Sequence, residues 1–107
     1  MTFAALRGLG LAVAATILLG IASAQAEELK VTIDNFTFTP AELKVKVGDT
    51  VTWTNHDDIP HTVVSAGKFR SKAMDTDNSF SFTFTSAGDY KYFCSLHPHM
   101  TGTITVE

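Results

Sequence analysis

Apolar and polar residues alternate along most of this chain, and a period of two places every second side chain on the same face of a β-strand. Leu43-Val45-Val47, Val51-Trp53 and Phe80-Phe82-Phe84 are the clearest runs, with Lys44 and Lys46 interleaving the first and Ser81 and Thr83 the last. Each of these strands carries one apolar face and one wet face. Leu29-Val31-Ile33, Thr62 to Ser65, Tyr90 to Cys94 and Thr103 to Val106 bring the expectation to about seven strands. The breaks between them are turn chemistry: Thr39-Pro40, Gly48-Asp49, Ile59-Pro60, Ala66-Gly67 and Ala87-Gly88-Asp89. No stripe of 3.6-residue period runs through this part of the chain. Short strands at this spacing predict an all-β, antiparallel sandwich or barrel. The polar stretch from Lys68 to Asn78 reads as a surface loop or an irregular edge strand.

The N-terminus breaks the alternation. Met1 to Arg7 carries one positive charge, Gly8 to Ala22 is an uncharged apolar run, and Ala24-Gln25-Ala26 offers small residues at cleavage spacing. This is the pattern of a secretory signal peptide over residues 1–26, leaving 27–107 as a single exported domain. The run falls short of the roughly 20 residues that span a bilayer, so no membrane span is expected in the mature chain.

Composition narrows the chemistry. The 107 residues include 8 Lys plus Arg against 11 Asp plus Glu, a formal charge of -3, and this lacks the basic footprint that nucleic acid requires. Cys94 stands alone, so no disulfide can form within the chain. Small exported domains commonly add disulfides or a metal to a modest core. A lone thiol in an oxidising compartment is also open to oxidation or cross-linking unless it is buried or coordinated. Both arguments turn attention to metal.

Cys94, His97 and Met100 follow one another as Cys-x-x-His-x-x-Met where the strand Tyr90 to Cys94 runs out, and even spacing by three lets them line one tight loop. His61, after Ile59-Pro60, is the natural fourth ligand. Thiolate and thioether are soft and imidazole is intermediate, which excludes calcium and magnesium; zinc makes little use of Met. Two His, one Cys and a weak axial Met describe a blue-copper electron-transfer site. Taken singly, Cys94 reads as a small buried hydrophobe, His61 as a strand-edge histidine and Met100 as core filler; the matched spacing argues against these readings. Trp53, Phe80, Phe82 and Phe84 read as core, and His56 and His99 as solvent-exposed. Asp57, Asp58, Lys68, Arg70 and Lys72 read as solvated loop charges.

The stretch from Glu42 to Glu107 resembles the cupredoxins and is most similar to their amicyanin branch, with plastocyanin and pseudoazurin as neighbours. The matching segments are Val47 to Trp53, Pro60-His61, Phe84 to Tyr90, Cys94 to Met100 and Gly102 to Val106. The resemblance implies a Greek-key β-sandwich of seven to eight strands holding one type-1 copper on His61, Cys94, His97 and Met100. It also implies a periplasmic carrier of single electrons, monomeric, whose partners are a c-type cytochrome or a periplasmic dehydrogenase docking near His97, on a patch of Leu96, Pro98 and Ile59.

Two positions depart from the family pattern. Thr62 replaces an Asn that ties the two ligand loops together, a task its hydroxyl can share. Leu96 replaces a Pro, which restores an N–H expected to point at the Cys94 sulfur. The competing classes are weaker. A Cys94–His97 nucleophile and base would lack an oxyanion donor and an orienting group. A copper-delivery or storage protein would be richer in Met and Cys, and an adhesion-type sandwich has no need of the ligand loop.

Overall fold

A computed structural model describes residues 25–107. Residues 1–24, nearly all of the expected leader, lie outside the described residues. Nine strands follow in order: β1 (Glu28–Asp34), β2 (Thr37–Thr39), β3 (Glu42–Val45), β4 (Thr50–Asn55), β5 (Val64–Ser65), β6 (Phe69–Arg70), β7 (Ser79–Thr83), β8 (Gly88–Cys94) and β9 (His97–Val106). They form one sheet in the order β2-β1-β4-β7 and another in the order β3-β9-β8-β5-β6. The architecture is the expected all-β sandwich.

The expectation of antiparallel sheets needs correction, since each sheet contains one parallel pair. β1 runs parallel to β4, and β3 parallel to β9. After β2 the chain leaves the first sheet, lays β3 in the second and returns as β4, a crossover that brings β4 beside β1 in the same direction; a hairpin would have reversed it. One short strand was not anticipated, and another realises the edge-strand reading of the polar stretch. β2 is three residues long with Phe38 alone pointing inward, too short for alternation to show. β6 lies within the polar stretch beginning at Lys68 and forms the outer edge of the second sheet. β3 stops at Val45, and Val47 is exposed because the chain has begun to turn at Lys46, where Asp49 N–H bonds back to the Lys46 carbonyl.

Where alternation was clearest it governs the packing. Val51 pairs with Phe82 and Trp53 with Phe80 across β4 and β7. On the opposite face of the same pair, hydroxyls meet hydroxyls: Thr50 with Thr83 at 2.7 Å, Thr52 with Ser81 at 2.7 Å and Thr54 with Ser79 at 2.8 Å. Inside, fully buried Trp53 sits among Phe69, Phe80 and Tyr92, with ring centroids 5.6, 5.8 and 5.4 Å away. Offset and edge-on aromatic contacts of this kind add to the area they bury. Phe80 and Phe82 pack against this core from a half-buried position.

On the other sheet, β8 and β9 pair closely enough for Tyr92 to lie directly opposite Gly102. A Cβ built on Gly102 would meet Tyr92 Cζ and Oη at 2.3 Å, inside the van der Waals limit, so the buried ring occupies the space a side chain would fill. Gly102→Ala is therefore expected to destabilise the fold by about 1–3 kcal/mol, the usual range for overpacking. Denaturant unfolding of the metal-free protein measures it, and a smaller ring partner, Tyr92→Leu, should recover part of the loss.

Candidate metal centre

The fold brings together three of the side chains singled out from the sequence. Cys94 ends β8 and His97 begins β9; the two are Cα partners across a tight turn, with a bulge between Phe93 and Cys94. His61 lies between β4 and β5, held by an isolated bridge in which His61 N–H bonds to the Met74 carbonyl at 3.2 Å and Met74 N–H to the His61 carbonyl at 2.8 Å. Cys94 and His61 are fully buried, and His97 is half-buried.

Cys94 Sγ lies 3.7 Å from His61 Nδ1 and 3.7 Å from His97 Nδ1. All three donor atoms fall within 4.8 Å of one another. Metal bonds of about 2.3 Å to sulfur and about 2.0–2.1 Å to imidazole, opened to roughly 120°, separate sulfur from nitrogen by about 3.7 Å, so one ion fits between the three donors. A thiolate with two imidazoles suits copper better than any hard ion. Met100 lies three residues beyond His97 in β9 and is 6 % exposed, within the core cluster.

The sulfur is supported from across the two loops. Thr62 N–H donates to Cys94 Sγ at 3.3 Å and the Thr62 hydroxyl stands 3.7 Å from it. That hydroxyl accepts Ser95 N–H at 2.7 Å and shares a 2.8 Å hydrogen bond with the Ser95 hydroxyl. Thr62 thus ties the two ligand loops together, as expected. The second expectation fails: Leu96 N–H is not among the hydrogen bonds made to the sulfur. With Cys94 and His97 paired as strand neighbours, Ser95 and Leu96 stand outside the ladder, and Leu96 turns to solvent at 52 % exposure.

Burial pushes the Cys94 thiol up, but hydrogen bonding, led by the Thr62 N–H, outweighs it and brings the pKa from 9.0 down to about 6.

One sequence reading is overturned next to His61. Asp57 is not a solvated loop charge: its side chain is 11 % exposed, and Oδ2 lies 2.8 Å from His61 Nε2. It also accepts backbone N–H groups from Asn35 and Phe36. Hydrogen bonding from the Phe36 N–H, opposed by burial and aided by His61 and the Asn35 N–H, holds its carboxyl below the usual range. The loop that presents it is fixed by fully buried Asn55, whose Nδ2 donates to the Ile59 and Met74 carbonyls at 2.9 Å each and whose Oδ1 accepts Asp57 N–H at 2.9 Å. Phe36 was also missed. Its ring meets His61 and His97 edge-on, with centroids 5.4 and 5.1 Å away. Asp58, His56 and His99 are exposed, as read, with His56 3.7 Å from Asp77.

Residues 8–106 match the Cupredoxin-like domain family. The chain belongs to that family. It is 36 % identical over 92 residues to amicyanin of Paracoccus versutus, covering 80 % of this chain and 70 % of that protein. Amicyanin of Paracoccus denitrificans is 40 % identical over 83 residues, covering 72 % of this chain, which spans 63 % of the relative's length. An amicyanin variant solved in its Cu(I) form superposes with a TM-score of 0.73 at 37 % identity, covering 80 % of this chain and 88 % of that one. In this cupredoxin the Cys, His and second His of the matching motifs are the three donors that converge.

Because the folded thiol titrates near 6 and the ordinary thiol near 9.0, the unfolded chain binds more protons between those values. The metal-free fold should gain stability as pH rises from about 6 to about 9, and lose it as pH falls back. Thiolate absorbance near 240 nm and urea midpoints across that window check both. Thr62→Val removes the hydroxyl and leaves Ser95 N–H without its acceptor; it should move the thiol titration upward and cost about 1 kcal/mol.

Proposed function

We propose that this protein is a blue-copper electron carrier, exported to the periplasm, that passes single electrons between redox partners through one type-1 copper ion held by His61, Cys94, His97 and Met100. The observation that carries this reading is the convergence of the Cys94 sulfur and two imidazole Nδ1 atoms within 4.8 Å of one another in an all-β frame. When bound, copper supplies a one-electron Cu(I)/Cu(II) couple. The chain's part is to keep the donors still: Cys94 and His97 sit on paired strands, and Thr62 and Asn55 tie the His61 loop to its neighbours. A frame that changes little between oxidation states keeps the rearrangement small and the transfer fast. Met100 would supply a weak thioether ligand.

The electron leaves through His97, the half-buried imidazole of the pair. Leu96, Pro98 and Ile59 were read as the apolar patch around it, and the exposed ring of Phe36, packed on His97, extends that patch. A c-type cytochrome or a periplasmic dehydrogenase docks there, and the carrier acts as a monomer. No helix among the described residues is long and apolar enough to cross a membrane. The relatives are electron carriers and not enzymes. Copper delivery is less well supported, because beyond residue 26 the soft donors are Cys94, Met100 and Met74, and Met74 is buried in the core at 4 % exposure.

Titration with Cu(II) should produce an intense visible thiolate-to-copper absorption that saturates at one equivalent, bleaches with a mild reductant and returns on reoxidation. Cys94→Ser should give no colour. Tight binding that does not cycle would assign copper delivery instead. Leu96→Asp should slow electron transfer to a cytochrome c partner about tenfold through its association rate, leaving the absorption in place.

A further inference from the structure

We infer that Asp57 is a positioning residue for the metal centre: its single carboxylate sets which nitrogen of His61 faces Cys94 and pins the turn that lays Phe36 across both imidazole rings. The inference rests on the reading of His61 and His97 as copper ligands.

The turn between β1 and β2 holds two residues, Asn35 and Phe36, with Asp34 and Thr37 paired on either side. Both have positive φ, 51° and 58°. That is the conformation of a type I′ hairpin turn, whose second residue is usually Gly. Asn adopts it readily; a bulky side chain seldom does, and such strain persists where neighbours over-determine it. Here the neighbour is Asp57. Its Oδ1 accepts Asn35 N–H at 2.6 Å and its Oδ2 accepts Phe36 N–H at 2.9 Å, so both amides of the turn converge on one anion. The Phe36 ring is thereby presented edge-on to both His rings, near-perpendicular at 84° and 90°. It stays 49 % exposed, so it covers the imidazoles without joining the core.

Oδ2 has one further donor, His61 Nε2 at 2.8 Å. An ionised carboxylate offers acceptors only, so Nε2 carries the proton and Nδ1 keeps its lone pair. Nδ1 is the atom that lies 3.7 Å from Cys94 Sγ. A carboxylate behind a metal-facing histidine fixes its tautomer and orientation and makes the facing nitrogen more basic. Its negative charge also favours the more positive oxidised ion over the reduced one. Ligand orientation and the aromatic cover therefore share one anchor, although Asn35 and Phe36 lie more than twenty residues from Asp57 in the chain.

The test uses Asp57→Leu, Asp57→Asn and Phe36→Gly. In the metal-free protein, ¹⁵N shifts of the His61 ring should report a single Nε2–H tautomer for the native chain and for Phe36→Gly, and a mixed or inverted population for Asp57→Leu. Amide exchange at Asn35 and Phe36 should accelerate about tenfold or more in Asp57→Leu, as befits the loss of hydrogen bonds to a charged group. In the copper-loaded protein, Asp57→Asn should raise the reduction potential. A native tautomer in Asp57→Leu, or native exchange and potential in the Asp57 variants, overturns the inference. Should Asp57→Leu fail to fold, the nearly isosteric Asp57→Asn decides through exchange and potential. If the native chain never turns blue, the copper reading fails, while the tautomer and exchange measurements still decide what Asp57 does.

Discussion

An ionisable sulfur placed where water does not reach is the constraint that the rest of this molecule answers. Cys94 is fully buried, and an anion at such a position needs donors on every accessible side. Thr62 provides an amide from across the loops, and two imidazoles face the sulfur at 3.7 Å. Each of those groups is secured in turn: Thr62 by Ser95, His61 by Met74 and Asp57, and His97 by strand pairing. The centre is thus rigid before any ion enters, which is what a one-electron carrier requires of its ligands.

The way the strands are joined explains why those groups can meet. β8 and β9 deliver Cys94 and His97 from one hairpin of the second sheet, whereas His61 comes from the link between β4 of the first sheet and β5 of the second. The site therefore lies where the chain passes between layers, and contacts from both sheets hold it. The aromatic cluster around Trp53 belongs to the same buried core as Cys94 and Met100.

Much of this was legible in the sequence, and the parts that were not share a cause. Alternation in Val51-Trp53 and Phe80-Phe82-Phe84 specified which face each strand buries, because period two is a local property. It carried no information on the neighbour, so the parallel pairings β1 with β4 and β3 with β9 were missed. The Cys94-x-x-His97 spacing disclosed two of the three donors that converge, since a tight turn keeps close residues close. Phe36 and Asp57 gave no such signal: each matters through residues over twenty positions away, and an aspartate in a polar loop looks the same in sequence whether it is solvated or holding a histidine. The Leu96 amide was a local argument too, and the donor the sulfur does receive comes from Thr62, thirty-two residues away.

The hydroxyl ladder between β4 and β7 sets a limit on where this molecule can be recognised. Six alcohol groups on that face are matched in three mutual pairs. One proton of each pair is engaged by its neighbour. That flank is chemically quiet, with half of its hydroxyl protons spent within the sheet.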